Sequence, residues 1–158
     1  MGQPAITGSG VFTPAEVISN EELVEAFNAY AERFNAAHAD AIAAGEVEAK
    51  GLSSPEFIHN ASGIERRHVM DKSGVLDPEV MHPLLRQRSD DEPGIMADMA
   101  LDACGKALAQ AGRAGAEIDL IICAASNHER PYPAIAIEIQ ELLGAGGFAF
   151  DMNVACSS

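Results

Sequence analysis

A cysteine near the carboxyl end of the sequence is the side chain best suited to do chemistry. Cys156 follows an apolar run, residues 147–152, which predicts a buried strand, and small residues surround it in segment 153–158. If a helix begins there, its free backbone N–H groups and its dipole lower the pKa of a nearby thiol. The segment therefore predicts a nucleophilic thiol at the end of a strand. The alternative is a buried cysteine that only packs in the core.

Charge and cysteine usage exclude several classes of protein. Cys104, Cys123 and Cys156 are far apart and form no Cys-x-x-Cys pair, so neither a disulfide framework nor a metal site is predicted. The formal net charge of −14 argues against nucleic acid or an anionic membrane as a partner, because both require clustered Lys and Arg. No apolar stretch is long enough for a membrane helix, and no secretory leader is evident. We therefore expect a cytoplasmic protein with reduced thiols.

The first half of the chain predicts helices and loops that flank the chemistry. Residues 4–14 predict a strand that ends in a glycine-containing turn. Ser19 is a predicted N-cap for a long helix that reaches about Ala44. Residues 51–69 predict a loop, a turn and then a short strand, and residues 71–93 are polar and Pro-rich, which indicates an irregular insertion.

The second half predicts the sheet that positions Cys156. Residues 94–112 predict a helix, and residues 118–125 predict a strand buried on both faces. A loop at 126–133 follows at the carboxyl end of that strand, where open α/β sheets bind ligands. A helix that begins at Pro133 then leads to the last strand at 147–152. This alternation is typical of a parallel α/β sheet.

Four segments occur together in an order and spacing that a known family shares. They are residues 7–14, 62–68, 119–133 and 150–156. The set resembles the β-ketoacyl-acyl-carrier-protein synthase III enzymes of the thiolase superfamily. The resemblance implies an α/β, thiolase-like fold, in which residues 1–158 are the N-terminal half, a mostly parallel sheet covered by helices, of a duplicated five-layer αβαβα architecture.

The resemblance also implies an acyltransferase. The family takes an acyl group onto a cysteine as a thioester and condenses it with a malonyl thioester after decarboxylation. Cys156 matches that cysteine, and its own N–H is expected to help form the oxyanion hole. The resemblance implies that the substrates are acyl-coenzyme A or acyl-carrier-protein thioesters and that the complete protein is a homodimer. It implies no cofactor. The family's catalytic histidine and asparagine are expected in a C-terminal half outside this chain, and none of the five histidines here matches.

Three further residues match binding positions of the family. Many members hold the adenine of coenzyme A with a tryptophan and an arginine, and the matching residues here are Phe57 and Ala61. The cationic contact is therefore absent, while Phe57 either stacks on the donor or packs in the core. Tyr132 matches the aromatic residue that reaches into the partner subunit's acyl pocket, unless it packs locally. The longer first helix and the insertion predict an acyl donor longer or bulkier than acetyl.

Two other functions stay open at this point. One is a non-catalytic thiolase-fold subunit that stabilises an active partner. The other is a different thioester reaction on the same fold, such as thiolytic cleavage, heterocycle-forming condensation or 3-hydroxy-3-methylglutaryl synthesis.

An acidic carrier protein would need a local basic patch on this chain, and the clustered candidates are Arg66, Arg67, Arg86 and Arg88.

Overall fold

The computed structural model describes residues 3–157, and these form two compact units. One unit is Thr13–Arg86, and the other combines the residues up to Phe12 with those from Gln87 onward. Within the described residues, no helix is long and apolar enough to cross a membrane.

The unit Thr13–Arg86 contains a small antiparallel sheet and four helices. Strand β1 (Glu16–Ser19) pairs with β2 (Arg66–Val69), so that Glu16 lies opposite Val69. The helices are α1 (Asn20–Ala37), α2 (Ala39–Ala43), α3 (Pro55–Ser62) and α4 (Ser73–Leu76). The short strand at β2 was predicted, whereas β1 was not, because four residues carry too little pattern to identify a strand.

The predicted cap of the first helix is confirmed, but the helix is shorter than expected. Glu22 N donates to Ser19 Oγ at 3.2 Å, and Ser19 N donates to Glu22 Oε2 at 2.9 Å, which completes a capping box. Helix α1 ends at Ala37 because the backbone of His38 leaves the helical conformation, and α2 then continues to Ala43.

Residues 51–54 are irregular, as predicted, but helix α3 replaces the turn that was expected after them. Phe57 N donates to Ser54 Oγ at 3.1 Å, and Pro55 occupies the first turn, where its missing N–H has no cost. Gly63 ends the helix in the left-handed conformation, with φ 70°. Ser54, Pro55 and Gly63 are ordinary helix-boundary signals, so this prediction was wrong although the sequence contained the necessary information.

The segment 71–93 is irregular apart from α4, as predicted. Asp71 organises its first part: one carboxylate oxygen accepts from Ser73 Oγ at 2.6 Å, and the other accepts from Leu84 N at 2.7 Å. That the segment is an insertion stays a prediction.

The second unit contains the predicted parallel sheet. Its elements are α5 (Ile95–Ala111), β3 (Leu120–Ala124), α6 (Ile135–Leu143) and β4 (Phe148–Met152). Strands β3 and β4 are parallel, with Leu120 opposite Phe148 and Ala124 opposite Met152. Helix α6 begins two residues later than expected, at Ile135. The order of elements that delivers Cys156 is confirmed.

The predicted strand at residues 4–14 is not present among the described residues 3–14. This segment instead runs against α5, where carbonyl oxygens approach it closely. A Cβ on Gly8 would lie 2.1 Å from Ala107 O, and a Cβ on Gly10 would lie 2.0 Å from Ala103 O. The glycines therefore allow a backbone-to-helix contact rather than the tight turn that was expected.

The described residues cover the parallel sheet on one face only. Ala97, Ala125, Ile135 and Ile139 form the buried core, and Ile121 and Cys123 pack against it. On the opposite face Leu120, Ile122, Phe148 and Phe150 are exposed, Phe148 by 78%. The prediction of a strand buried on both faces is therefore wrong for the described residues, because a second covering layer is not among them.

Candidate active site

Cys156 lies in the single turn of helix that follows β4. Strand β4 ends at Met152, and Ala155–Ser157 form one turn of 3₁₀ helix. The thiol is exposed, whereas Cys104 and Cys123 are partly buried. Cys156 is therefore not a packed core cysteine in the described part of the chain.

The residue before Cys156 has an unusual backbone conformation. Ala155 has φ 53°, in the left-handed region that alanine seldom occupies. Its N–H donates to Asn153 Oδ1 at 3.2 Å, and its carbonyl oxygen accepts from Ser126 Oγ at 3.1 Å. We call residues 153–157 the cysteine turn. Hydrogen bonds to both polar groups of Ala155 hold this turn in place.

The loop at 126–133 lies beside the cysteine turn, as its position after β3 predicted. Besides the Ser126 bond, Asn153 Nδ2 donates to the carbonyl oxygen of Ser126 at 3.5 Å. The loop and the turn are thus joined at the carboxyl ends of β3 and β4, the edge at which open α/β sheets bind ligands.

An acidic residue inside β4 anchors the helix that precedes this strand in the chain. Asp151 accepts from Ile135 N at 2.9 Å and from Ala136 N at 2.7 Å, so it caps the start of α6. His128 Nε2 lies 3.5 Å from Asp151 Oδ2. Sequence reasoning missed this role, although an aspartate within an apolar strand was an available signal.

Two charged residues of the loop tie it to neighbouring elements. Glu129 accepts from Ile95 N at 2.9 Å and from Met96 N at 2.6 Å, which caps α5. Arg130 Nη2 donates to Glu138 Oε1 at 2.5 Å and to Glu92 O at 2.8 Å. Both residues were missed, because their partners are distant in sequence.

Tyr132 projects from this anchored loop. Tyr132 is 84% exposed, and the peptide bond that joins it to Pro133 is cis. The alternative of local packing is therefore not supported. Its predicted place in a partner subunit's pocket stays a prediction.

Phe57 lies in the other unit, on the exposed side of α3. It is 67% exposed and borders an open cavity of about 480 Å³, together with Phe27, Leu52 and Ser53. Within the described residues Phe57 is therefore not a core aromatic, and its side chain is free to stack on a ligand. Ala61, the second residue that the resemblance places at this binding position, is exposed as well.

The two other cysteines have environments that disfavour a thiolate. Burial raises the pKa of the Cys104 thiol. Burial also raises the pKa of Cys123, and the nearby Asp151 carboxylate adds to that effect. Both shifts reduce the fraction of reactive thiolate at neutral pH.

Two of the four candidate docking arginines serve the structure of the chain itself. Arg67 Nη2 donates to Asn20 Oδ1 at 2.9 Å, and the buried Asn20 donates to Ile64 O at 2.7 Å. Arg88 pairs with Asp98 and donates to Pro93 O at 2.6 Å. Arg66 is exposed and borders a separate cavity. Arg67 and Arg88 are therefore not free to form a basic docking patch for a carrier protein.

Across residues 3–157, no three side chains of His, Cys, Asp or Glu are grouped so that they could hold a metal ion. No family model matches this chain.

Comparison with curated proteins gives clear relatives. The chain is 53% identical over 135 residues to a β-ketodecanoyl-[acyl-carrier-protein] synthase of Pseudomonas aeruginosa, which covers 85% of this chain and 39% of that protein. It is 32% identical over 160 residues to a β-ketoacyl-[acyl-carrier-protein] synthase III of Bordetella petrii, covering 99% of this chain and 36% of the relative. The resemblance to the β-ketoacyl-[acyl-carrier-protein] synthase III family is confirmed. The chain spans less than two fifths of the length of these relatives.

Two solved structures have a fold similar to that of this chain. The 3-oxoacyl-[acyl-carrier-protein] synthase III of Aquifex aeolicus matches 96% of this chain with a TM-score of 0.63 and 25% identity, over 35% of its own length. OleA of Xanthomonas campestris gives a TM-score of 0.63 at 19% identity, again over 96% of this chain and 34% of its own. The predicted thiolase-like α/β fold class is therefore confirmed.

Proposed function

We propose that residues 1–158 are the cysteine-bearing part of an acyl-condensing enzyme of the synthase III type. The observation that supports this most strongly is the exposed Cys156, which follows parallel strand β4 in a chain 53% identical to a β-ketodecanoyl-[acyl-carrier-protein] synthase. The catalytic histidine and asparagine would come from sequence outside these residues.

The proposed reaction has two steps. First, the Cys156 thiol gives up its proton, and the thiolate attacks the carbonyl carbon of an acyl thioester; the bond to the donor sulfur breaks, the donor leaves as a thiolate that takes up a proton, and an acyl-cysteine forms. Second, a malonyl thioester loses CO₂, and its α-carbon attacks the acyl-cysteine carbonyl. The new C–C bond forms as the C–S bond to Cys156 breaks. Neither step consumes an oxidant or a reductant.

The name of the relative sets the proposed chain length. A β-ketodecanoyl product has ten carbons, and decarboxylated malonate contributes two of them. The donor of that relative therefore carries eight carbons. We infer a medium-chain donor for this chain also, bound as a coenzyme A or carrier-protein thioester. The identity between the two sequences supports this substrate class.

Two exposed aromatic residues fit roles in this reaction. Phe57, beside its open cavity, is proposed to contact the donor's carrier group, and Tyr132 the acyl chain bound to a partner subunit in a homodimer. A Tyr132→Ala variant whose profile of accepted chain lengths equals that of the wild type would refute the second role.

A cytoplasmic location is proposed for the same enzyme.

Intact-mass measurement of the acyl-enzyme tests the proposal. The natural polypeptide that contains residues 1–158 is incubated with acyl-coenzyme A donors of two to twelve carbons. We expect an adduct on Cys156 that forms fastest with eight carbons and is lost in Cys156→Ala, while Cys104→Ala retains it. A strict preference for acetyl would overturn the chain-length proposal. Absence of any adduct with these donors and with the corresponding carrier-protein thioesters, with intact folding, would favour the non-catalytic subunit instead.

A further inference from the structure

We infer that Ser126 and Asn153 are positioning residues that hold the cysteine turn in its reactive geometry. The inference rests on the proposed function, since it assigns these two side chains a role in the chemistry at Cys156. Neither residue touches the reacting atoms in the proposed mechanism, so their effect passes through the backbone.

Peptide geometry links Ser126 to the cysteine. The carbonyl of Ala155 and the N–H of Cys156 belong to one planar peptide unit, in which the two groups point in opposite directions. The hydroxyl of Ser126 holds the Ala155 carbonyl oxygen at 3.1 Å. It thereby sets the direction of the Cys156 N–H, the proposed oxyanion donor, whose value depends on being fixed before charge develops.

Asn153 secures the other side of Ala155. Its Oδ1 accepts the Ala155 N–H at 3.2 Å. An alanine at φ 53° is strained by about 1 kcal/mol or more and stays there only when its surroundings hold it. Ser126 and Asn153 bond the two polar groups of this residue, so removing either allows the turn to relax.

Ser126 is anchored at the end of β3. It follows Ala125, which is buried and whose N–H donates to Met152 O at 3.1 Å, extending the parallel ladder by one bond. The hydroxyl is therefore offered from the end of β3 rather than from a free loop. The Ser126 hydroxyl therefore fixes the cysteine turn relative to the end of the sheet.

Variants of the natural polypeptide test the inference. In Ser126→Ala and in Asn153→Ala, we expect kcat for condensation to fall about threefold to tenfold, because each variant loses one hydrogen bond. KM and the unfolding temperature should stay unchanged. Ser126→Thr keeps the hydroxyl and should restore the rate. The matched control is Ser62→Ala, which removes a hydroxyl bond to the Ile58 carbonyl at 2.7 Å in α3.

The double variant gives a second readout. Because both side chains hold one residue, the loss in Ser126→Ala/Asn153→Ala should be smaller than the product of the two single losses. Should Ser126→Ala fail to fold, the exposed Asn153 provides the test alone. An unchanged kcat in both single variants would overturn the inference while leaving Cys156 as nucleophile. Full activity of Cys156→Ala would instead overturn the proposed function.

Discussion

Differences in burial among the three thiols should set their reactivity. Cys156 is exposed, while burial raises the pKa of both Cys104 and Cys123. Because the thiolate is the reactive form, iodoacetamide near pH 8 should modify Cys156 first. Peptide mass spectrometry over time measures the three rates. As the pH rises further, labelling of Cys104 and Cys123 should increase, since a raised pKa moves thiolate formation to higher pH. Equal rates for all three at pH 8 would contradict this prediction.

Local signals explain which site residues the sequence predicts. Cys156 is recognisable because its signal lies within ten residues: an apolar strand followed by small residues. The helix-capping roles of Asp151 and Glu129 are not recognisable in this way, since each caps a helix that begins at least 15 residues away, although Asp151 stands out as an aspartate within an apolar strand. Only the fold brings such partners together, and hydrogen bonds of this kind leave no periodic pattern in the chain.

Asp71 gives the irregular segment a pH-dependent contribution to stability. The hydrogen bond from Ser73 Oγ, followed by that from Leu84 N, lowers the pKa of this carboxyl to about 2 from its ordinary 3.8. A lowered folded-state pKa means that the ionised form stabilises the folded state above the unfolded value, and that this stabilisation is lost as the pH falls through the folded value. Asp71→Asn should therefore lower the unfolding temperature at pH 6, with the difference shrinking between about pH 4 and pH 2.

Thermal unfolding at several pH values checks this prediction. Asp77→Asn is the matched control, because Asp77 also accepts a nearby backbone bond, from Glu79 N at 2.8 Å, within the same segment. A pH-independent effect of Asp71→Asn would contradict the assignment.

The segment before β1 should tolerate side chains poorly where it meets α5. A Cβ at Gly8 or Gly10 would lie about 2 Å from a helix carbonyl oxygen, so the backbone must move. Gly8→Ala and Gly10→Ala should each lower the free energy of unfolding by about 1 to 3 kcal/mol. Gly105→Ala, within α5 and with open space around it, should raise that free energy by up to about 1 kcal/mol. Denaturant titration measures all three, and a neutral Gly10→Ala would show that the close approach is absent.

Elements were predictable where a long pattern or a strong cap marks them. Helix α5 and strands β3 and β4 have continuous apolar patterns and lie where the sequence predicts them. The expected strand at 4–14 failed because an apolar segment between glycines also suits an extended chain that packs on a helix. No local feature distinguishes the two, since the difference is the presence of a neighbouring strand.

At the scale of the whole molecule, the main feature is an apolar face of the parallel sheet that the described residues leave uncovered. Leu120, Ile122, Phe148 and Phe150 share this face through the register of β3 and β4, and all are exposed. Contiguous apolar surface of this kind marks a place that another layer covers. The relatives are more than twice as long as this chain, so their remaining sequence is the occupant we propose for this face.

Residues 1–158 produced alone should therefore bind an apolar dye and self-associate. Phe148→Lys and Ile122→Lys should reduce both dye fluorescence and association of the isolated chain, whereas Leu85→Lys, at an exposed apolar residue of the other unit, should change neither. In the natural polypeptide the sign reverses: Phe148→Lys should lower the free energy of unfolding by about 3 kcal/mol or more, because a charge then enters a covered face. Dye titration and sedimentation on both forms make the comparison. A monomeric isolated chain without dye binding, or a natural polypeptide unaffected by Phe148→Lys, would show that nothing covers this face.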